Sequence, residues 1–134
     1  MSEMIENTGM DRQKLESFIL ETYPASADRP WLQYPNYEVF RHSSNQKWFA
    51  VIMDLPKSKL GLQGEERIDA VNLKCGPILV GSLLMENGFF PAYHMRKDSW
   101  ITAALDGSVA DDKIKMLLDV SYQATAPKVR KKKG

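Results

Sequence analysis

Hydrophobic and polar positions recur along this chain with two different periods, and each change of period marks an element boundary. From Asp11 onward Leu15, Phe18 and Ile19 fall at i, i+3 and i+4, with Lys14, Glu16 and Glu21 on the other side, which predicts an amphipathic helix. Pro24 ends it, because the residue before a proline avoids helical backbone. Ala25 to Asn36 contains Pro30 and Pro35 and reads as a connecting loop, with Trp31 and Tyr34 pinned against the body. The period then shortens. Tyr37 to His42 reads as a short strand and SSNQ as its turn. Lys47 to Leu55, KWFAVIMDL, is apolar on both faces and therefore belongs in the middle of a sheet. Pro56 to Glu66 reads as an exposed loop. Arg67 to Cys75 returns to strand, with Val71, Leu73 and Cys75 facing one way and Asn72 and Lys74 the other.

Gly76-Pro77 opens a second helix with a stripe of Leu79, Val80, Leu83 and Leu84, and Gly88 is placed to cap its end. Phe89 to Met95 and Ser99 to Asp106 pair as a hairpin around Arg96-Lys97-Asp98. A last helix is expected from Ser108, with Asp111 completing a capping box and Ile114, Leu117, Leu118, Ser121 and Tyr122 forming its apolar face. The order is α-β-β-β-α-β-β-α. Its simplest packing is an α+β two-layer sandwich, a mostly antiparallel sheet with the helices on one face. Trp48 to Asp54 and Trp100 to Asp106 echo one another, each a tryptophan, an apolar strand and a closing aspartate. The echo puts both tryptophans on one face of the sheet.

Composition narrows the class without naming a reaction. At 134 residues, 43% hydrophobic and 26% charged, the chain is expected to be one globular domain over 10–126, with a loose extension at 1–9 and a basic tail at 127–134. No apolar run reaches the roughly 18 residues of a membrane span, and the N-terminus lacks the pattern of a signal peptide. A single cysteine, Cys75, points to a reducing, cytoplasmic setting. Net charge is +1, yet Lys128, Arg130, Lys131, Lys132 and Lys133 all sit in the tail. Setting those five aside leaves 13 basic against 17 acidic residues, a body near −4. A body of that sign is not a general polyanion binder.

Candidate chemistry is sparse. His42 and His94 lie beside Arg41 and beside Arg96 and Lys97, with no carboxylate or nucleophile at a catalytic spacing, so structural or solvent-facing roles outweigh catalysis. Positive neighbours should lower a histidine pKa. Cys75 alternates with Val71 and Leu73 as a small buried hydrophobe would. No spacing fits zinc, calcium or a phosphate-cradling glycine loop. No cofactor and no enzyme activity are therefore expected. If the helices cover one face, an aromatic set must line the other, where rings beside Lys47, Arg96 and Lys97 would suit stacking on bases. Tryptophans buried in the core and merely flanking surface lysines are the favoured reading, because large aromatics are usually buried.

The run NLKCGP, then GFFPAYHMRKDSW, then ALDGS and a final helix with LLDVSYQAT resembles the MmcQ/YjbR family from about Met10 to Ala126. The resemblance implies a CyaY-like (frataxin-like) fold and DNA binding through two β-hairpin wings, with no assigned catalytic residue. Carried over by position, the wings are Tyr37–Asp54 and Phe89–Asp106. The nucleic-acid contacts are then Arg41, His42, Lys47, Trp48, His94, Arg96, Lys97 and Trp100. Where the family often has a histidine before the second tryptophan, this chain has Ser99. Two functions follow as expectations. One is a monomeric, non-enzymatic protein that binds DNA weakly and salt-dependently, and the other is a protein-interaction or small-ligand module.

Overall fold

The strands that are apolar on both sides run through the middle of one sheet, with the polar strand Ala25–Asp28 at one edge and the short apolar strand Phe89–Pro91 at the other. A computed structural model describes residues 9–127. Within them lie β1 (Gly9–Asp11), α1 (Arg12–Thr22), β2 (Ala25–Asp28), β3 (Glu38–His42), β4 (Trp48–Pro56) and β5 (Arg67–Lys74). They are followed by α2 (Pro77–Leu83), β6 (Phe89–Pro91), β7 (Trp100–Ala104), β8 (Asp106–Ala110) and α3 (Asp111–Thr125). Six strands form one sheet in the order β2-β3-β4-β5-β7-β6, with every neighbouring pair antiparallel. β1 and β8 make a separate two-stranded ribbon. No helix among the described residues is long and apolar enough to cross a membrane.

All three helices pack on one face of the sheet. Leu15 and Ile19 of α1, Val80 and Leu83 of α2, and Ile114, Leu117 and Leu118 of α3 meet Phe40, Phe49, Ile52, Val71, Leu73 and Ile101 in one buried cluster. The α+β layering expected from the pattern is therefore present. Ser121 of α3 stitches the layers together: its hydroxyl donates to the Phe49 carbonyl (2.6 Å) and accepts from the Lys74 amide (2.9 Å).

Several boundaries differ from the pattern for identifiable reasons. Ala25–Asp28 is an edge strand on β3, not loop; its side chains are mostly exposed, so it carries no apolar signature. Gly9 already pairs with Ala110, so the last residue of the expected extension belongs to a strand. Asp11 caps α1, its carboxylate accepting from the Lys14 amide at 2.9 Å. Ser108 does not cap α3. It lies in β8, with its amide and hydroxyl both donating to Asp106 Oδ1, and α3 starts at Asp111 after Ala110. Gly88, with φ of +92°, is not a helix cap either; α2 ends at Leu83, and the Gly88 carbonyl accepts from Ala104 at the mouth of β6. The second hairpin pairs only Phe89–Pro91 with Ile101–Ala103, which leaves 92–99 as a long connecting loop. The basic tail from Lys128 lies outside the described residues.

Candidate functional site: an aromatic pocket on the open sheet face

The face opposite the three α-helices is only partly roofed, by aromatic side chains and by buried Leu60 of a short 3-10 turn, Lys57–Leu60, inside the segment expected to be exposed loop. Val39, Val51, Met53, Leu55, Ile68, Ala70 and Ala104 form a second apolar cluster there, against which Trp31, Tyr37, Trp48, Phe90 and Tyr93 pack. Between them is a cavity of about 250 Å³, lined by Trp31, Tyr34, Tyr37, Trp48, Tyr93 and His94 around a floor that includes Val51, Met53 and Asn72.

Three local features build this cavity. The first is a bulge in β4. Phe40 pairs with Ala50 but Arg41 pairs with Trp48, so Phe49 is an extra residue in the ladder. Phe49 and Ala50 consequently both serve the helix-side core, and Trp48 comes round to the side of Val51 and Met53. A bulge re-aims side chains in this way. Strict alternation would have put Trp48 under the helices and Phe49 in the pocket.

The second feature is a pair of consecutive turns. The Tyr34 amide donates to the Trp31 carbonyl (3.1 Å), and the Tyr37 amide to the Tyr34 carbonyl (3.0 Å). The three rings thus recur at i, i+3 and i+6, with Pro35 at the turn position that favours proline. Trp31 stands at right angles to Tyr37 (6.2 Å, 83°) and to Trp48 (5.7 Å, 84°), and Tyr34 stacks on Tyr37 at 4.8 Å. Such edge-to-face and offset contacts are the arrangements aromatic rings prefer.

The third feature fixes the opposite wall. Asn72 and Thr102 are register partners on β5 and β7, both buried. The Thr102 hydroxyl donates to Asn72 Oδ1. The pair then holds the backbone of Tyr93 at both ends: the Tyr93 amide donates to Thr102 Oγ1 (3.0 Å), and Asn72 Nδ2 donates to the Tyr93 carbonyl (2.9 Å). His94 follows with φ of +59°, a left-handed conformation that histidine adopts more readily than most residues, and stacks on Tyr93 at 4.0 Å. Lys97 closes the loop by donating to the Ala92 carbonyl at 2.7 Å.

Electrostatically the pocket is neutral and donor-rich. Its lining holds no carboxylate. The Tyr37 phenol is pushed above its ordinary range, by burial first and then by the phenols of Tyr93 and Tyr34, so it stays protonated. Arg41 places its guanidinium over the Trp48 ring, 5.5 Å from the centroid, and is held there by Asp28 at 3.2 and 3.3 Å. Among the described residues no cluster of histidine, cysteine and carboxylate could hold a metal ion.

The YjbR family model matches residues 20–124. The chain belongs to the YjbR family. Over 116 residues it is 38% identical to the protein YyaQ of Bacillus subtilis (strain 168), covering 87% of this chain and 98% of that one. Its match to YjbR of Escherichia coli (strain K12) is 41% over 59 residues, half of that relative. A crystal structure of a Pseudomonas syringae protein superposes with a TM-score of 0.85 at 44% identity, covering 87% of this chain and 100% of that one. A Deinococcus radiodurans structure shares the fold at a TM-score of 0.65 and 22% identity, covering 86% of this chain and 78% of that one.

In this YjbR-family chain the eight residues carried over as wing contacts divide sharply. Trp48 and His94 line the pocket. His42 does not face a partner: it is 1% exposed, bonded through Nε2 to Thr125 Oγ1 (2.8 Å) and stacked on Tyr122 (4.0 Å). Its pKa is lowered as expected, but burial is the main cause and Lys47 a lesser one. Trp100 is also buried, at 8%, outside the pocket lining. Arg41 and Arg96 are paired with Asp28 and Asp98, the latter at 3.1 Å. Lys47 and Lys97 are exposed. The open aromatic face was foreseeable from the helix layering. The parts of it supplied by Tyr37, Tyr93 and Asn72 were not, since their meeting depends on a bulge and a long loop that leave no periodic signal.

Proposed function

We propose that this protein is a non-catalytic binding module whose site is the aromatic pocket on the open face of the sheet. The observation that carries this reading is the anchoring of Tyr93 at both its amide and its carbonyl by a buried Asn72–Thr102 pair. Holding one pocket wall with buried polar groups is how a protein preorganises a site, and a small, mostly apolar cavity with few polar groups is the usual form of a ligand site. Trp31 and Trp48 line the cavity while Trp100 is buried away from it, so intrinsic fluorescence reports occupancy. Titration with small ring compounds should change that emission saturably, and Trp48→Leu should remove most of the change. Identical titrations of the two proteins would overturn the reading.

Nucleic-acid binding at the hairpin ends is a second reading, favoured by one specific observation. Register places Trp48 of β4, Lys74 of β5 and Trp100 of β7 at the same end of the sheet, so the 43–47 turn and the 92–99 loop emerge there together. Exposed Lys47 and Lys97 could meet phosphates at that end, although Arg41 and Arg96 already have carboxylate partners. Anisotropy with labelled DNA at near-physiological salt tests it. Binding that survives truncation after Pro127 and weakens in Lys47→Ala/Lys97→Ala supports the reading; binding lost on truncation alone defeats it.

A further inference from the structure

We infer that the open-face pocket takes a planar ring bearing hydrogen-bond acceptors, neutral or anionic, the chemical class of the nucleobases. This rests on the reading of the pocket as a binding site.

Four observations select that class. An aromatic enclosure by itself would suit a quaternary ammonium ion, because ring faces attract cations. Here the Trp48 face already carries the Arg41 guanidinium, fixed by Asp28, and the lining offers no carboxylate to offset a second positive charge. A cationic guest would meet a like charge. The polar groups of the pocket, moreover, include three phenols, each able to donate a hydrogen bond. Tyr34, Tyr37 and Tyr93 bring phenols into one cavity, Tyr34 stacked on Tyr37 at 4.8 Å, and Tyr37 keeps its proton. None of the three phenol oxygens is in a hydrogen bond with another described residue. Asn72 is committed to Tyr93 and Thr102. A guest without acceptors would strip water from these hydroxyls and return nothing, which disfavours plain hydrocarbon rings and phenylalanine-like side chains.

Size and shape complete the selection. A cavity of about 250 Å³ falls just below the range of about 300–1,000 Å³ of sites for whole drug-sized ligands, so it holds one ring system. Ring walls on several sides favour a flat guest that can stack or meet an edge, as bases do on aromatic platforms.

The test is chemical-shift mapping on the full chain with three probes: adenosine monophosphate, indole and tetramethylammonium. Adenosine monophosphate should move the amides of Val51, Tyr93 and His94 and bind about tenfold tighter than indole, the effect of one or two net hydrogen bonds. Tyr37→Phe keeps the ring and removes a donor; it should weaken adenosine monophosphate severalfold more than it weakens indole, narrowing that ratio. Indole binding as tightly as adenosine monophosphate at the same amides, or tetramethylammonium binding more tightly than either, would overturn the ring assignment and leave the pocket standing. No movement at those amides with any probe would overturn both. A short deoxyadenosine single strand supplies the same ring on a polymer. Tighter binding of the strand or of the monomer identifies the source, and either upholds the assignment.

Discussion

His42 shows how one residue can look like surface chemistry in the sequence and act as core structure. The Thr125 hydroxyl donates its proton to the Ser121 carbonyl (2.8 Å), so it must accept from His42, which fixes the tautomer with the proton on Nε2. Phe49 and Tyr122 enclose the ring. Protonation would bury an unpaired charge, and the folded pKa therefore lies below the ordinary 6.5. The unfolded chain takes up the proton first. Stability should hold above about pH 6.5 and fall as pH drops below it, by at most about 1.4 kcal/mol per pH unit for one group. Urea midpoints between about pH 5 and 8 check this: His42→Gln should flatten the acid-side fall, and an equally steep fall in the variant would assign it to other groups.

Among the elements, the decisive ones are the least regular. The long loop 92–99 is as well placed as a strand because Thr102 and Asn72 hold Tyr93 from the sheet beneath. Thr102→Val keeps the shape but leaves the Tyr93 amide without its acceptor. The change should cost about 1–3 kcal/mol, and hydrogen exchange at Tyr93 and His94 should quicken while that of the α3 amides relative to global unfolding stays as it was. The helices and central strands were legible because burial imposes a period on Leu15 to Ile19, Lys47 to Leu55 and Ile114 to Tyr122. β2 was not, since in ASAD only Ala25 packs against the core and the other three residues are exposed. Ser108 looked like a cap from its spacing to Asp111, but its hydroxyl donates to the Asp106 carboxylate behind it and accepts nothing from the first turn of α3.

For the whole molecule, the two faces of the sheet have different tasks. The helix side is a filled core; the other side keeps a cavity ringed by Trp31, Tyr37 and Trp48. That asymmetry could be anticipated from helices gathered on one face, whereas the cavity needs residues from 31 to 102 brought together and has no local trace. Filling it should stabilise the fold by mass action. At a free ligand concentration of about 100 times Kd the gain is about 2.7 kcal/mol, a rise in Tm on the order of 10 °C for a domain of this size. Thermal melts with and without adenosine monophosphate measure it, and no rise at saturation would count against the pocket.

The extra residue at Phe49 ties the face taken by Trp48 to the bulge and not to the length of β4 alone. Exchanging one apolar side chain for another there alters packing locally. Removing a single residue between Trp48 and Val51 would instead take out the bulge and restore strict alternation, leaving the tryptophan on the cavity side while depriving the helix-side core of Phe49 or Ala50. Homologous chains that share this hollow should therefore carry its tryptophan either three residues before the Val51 position with a bulge or two residues before it in a regular strand.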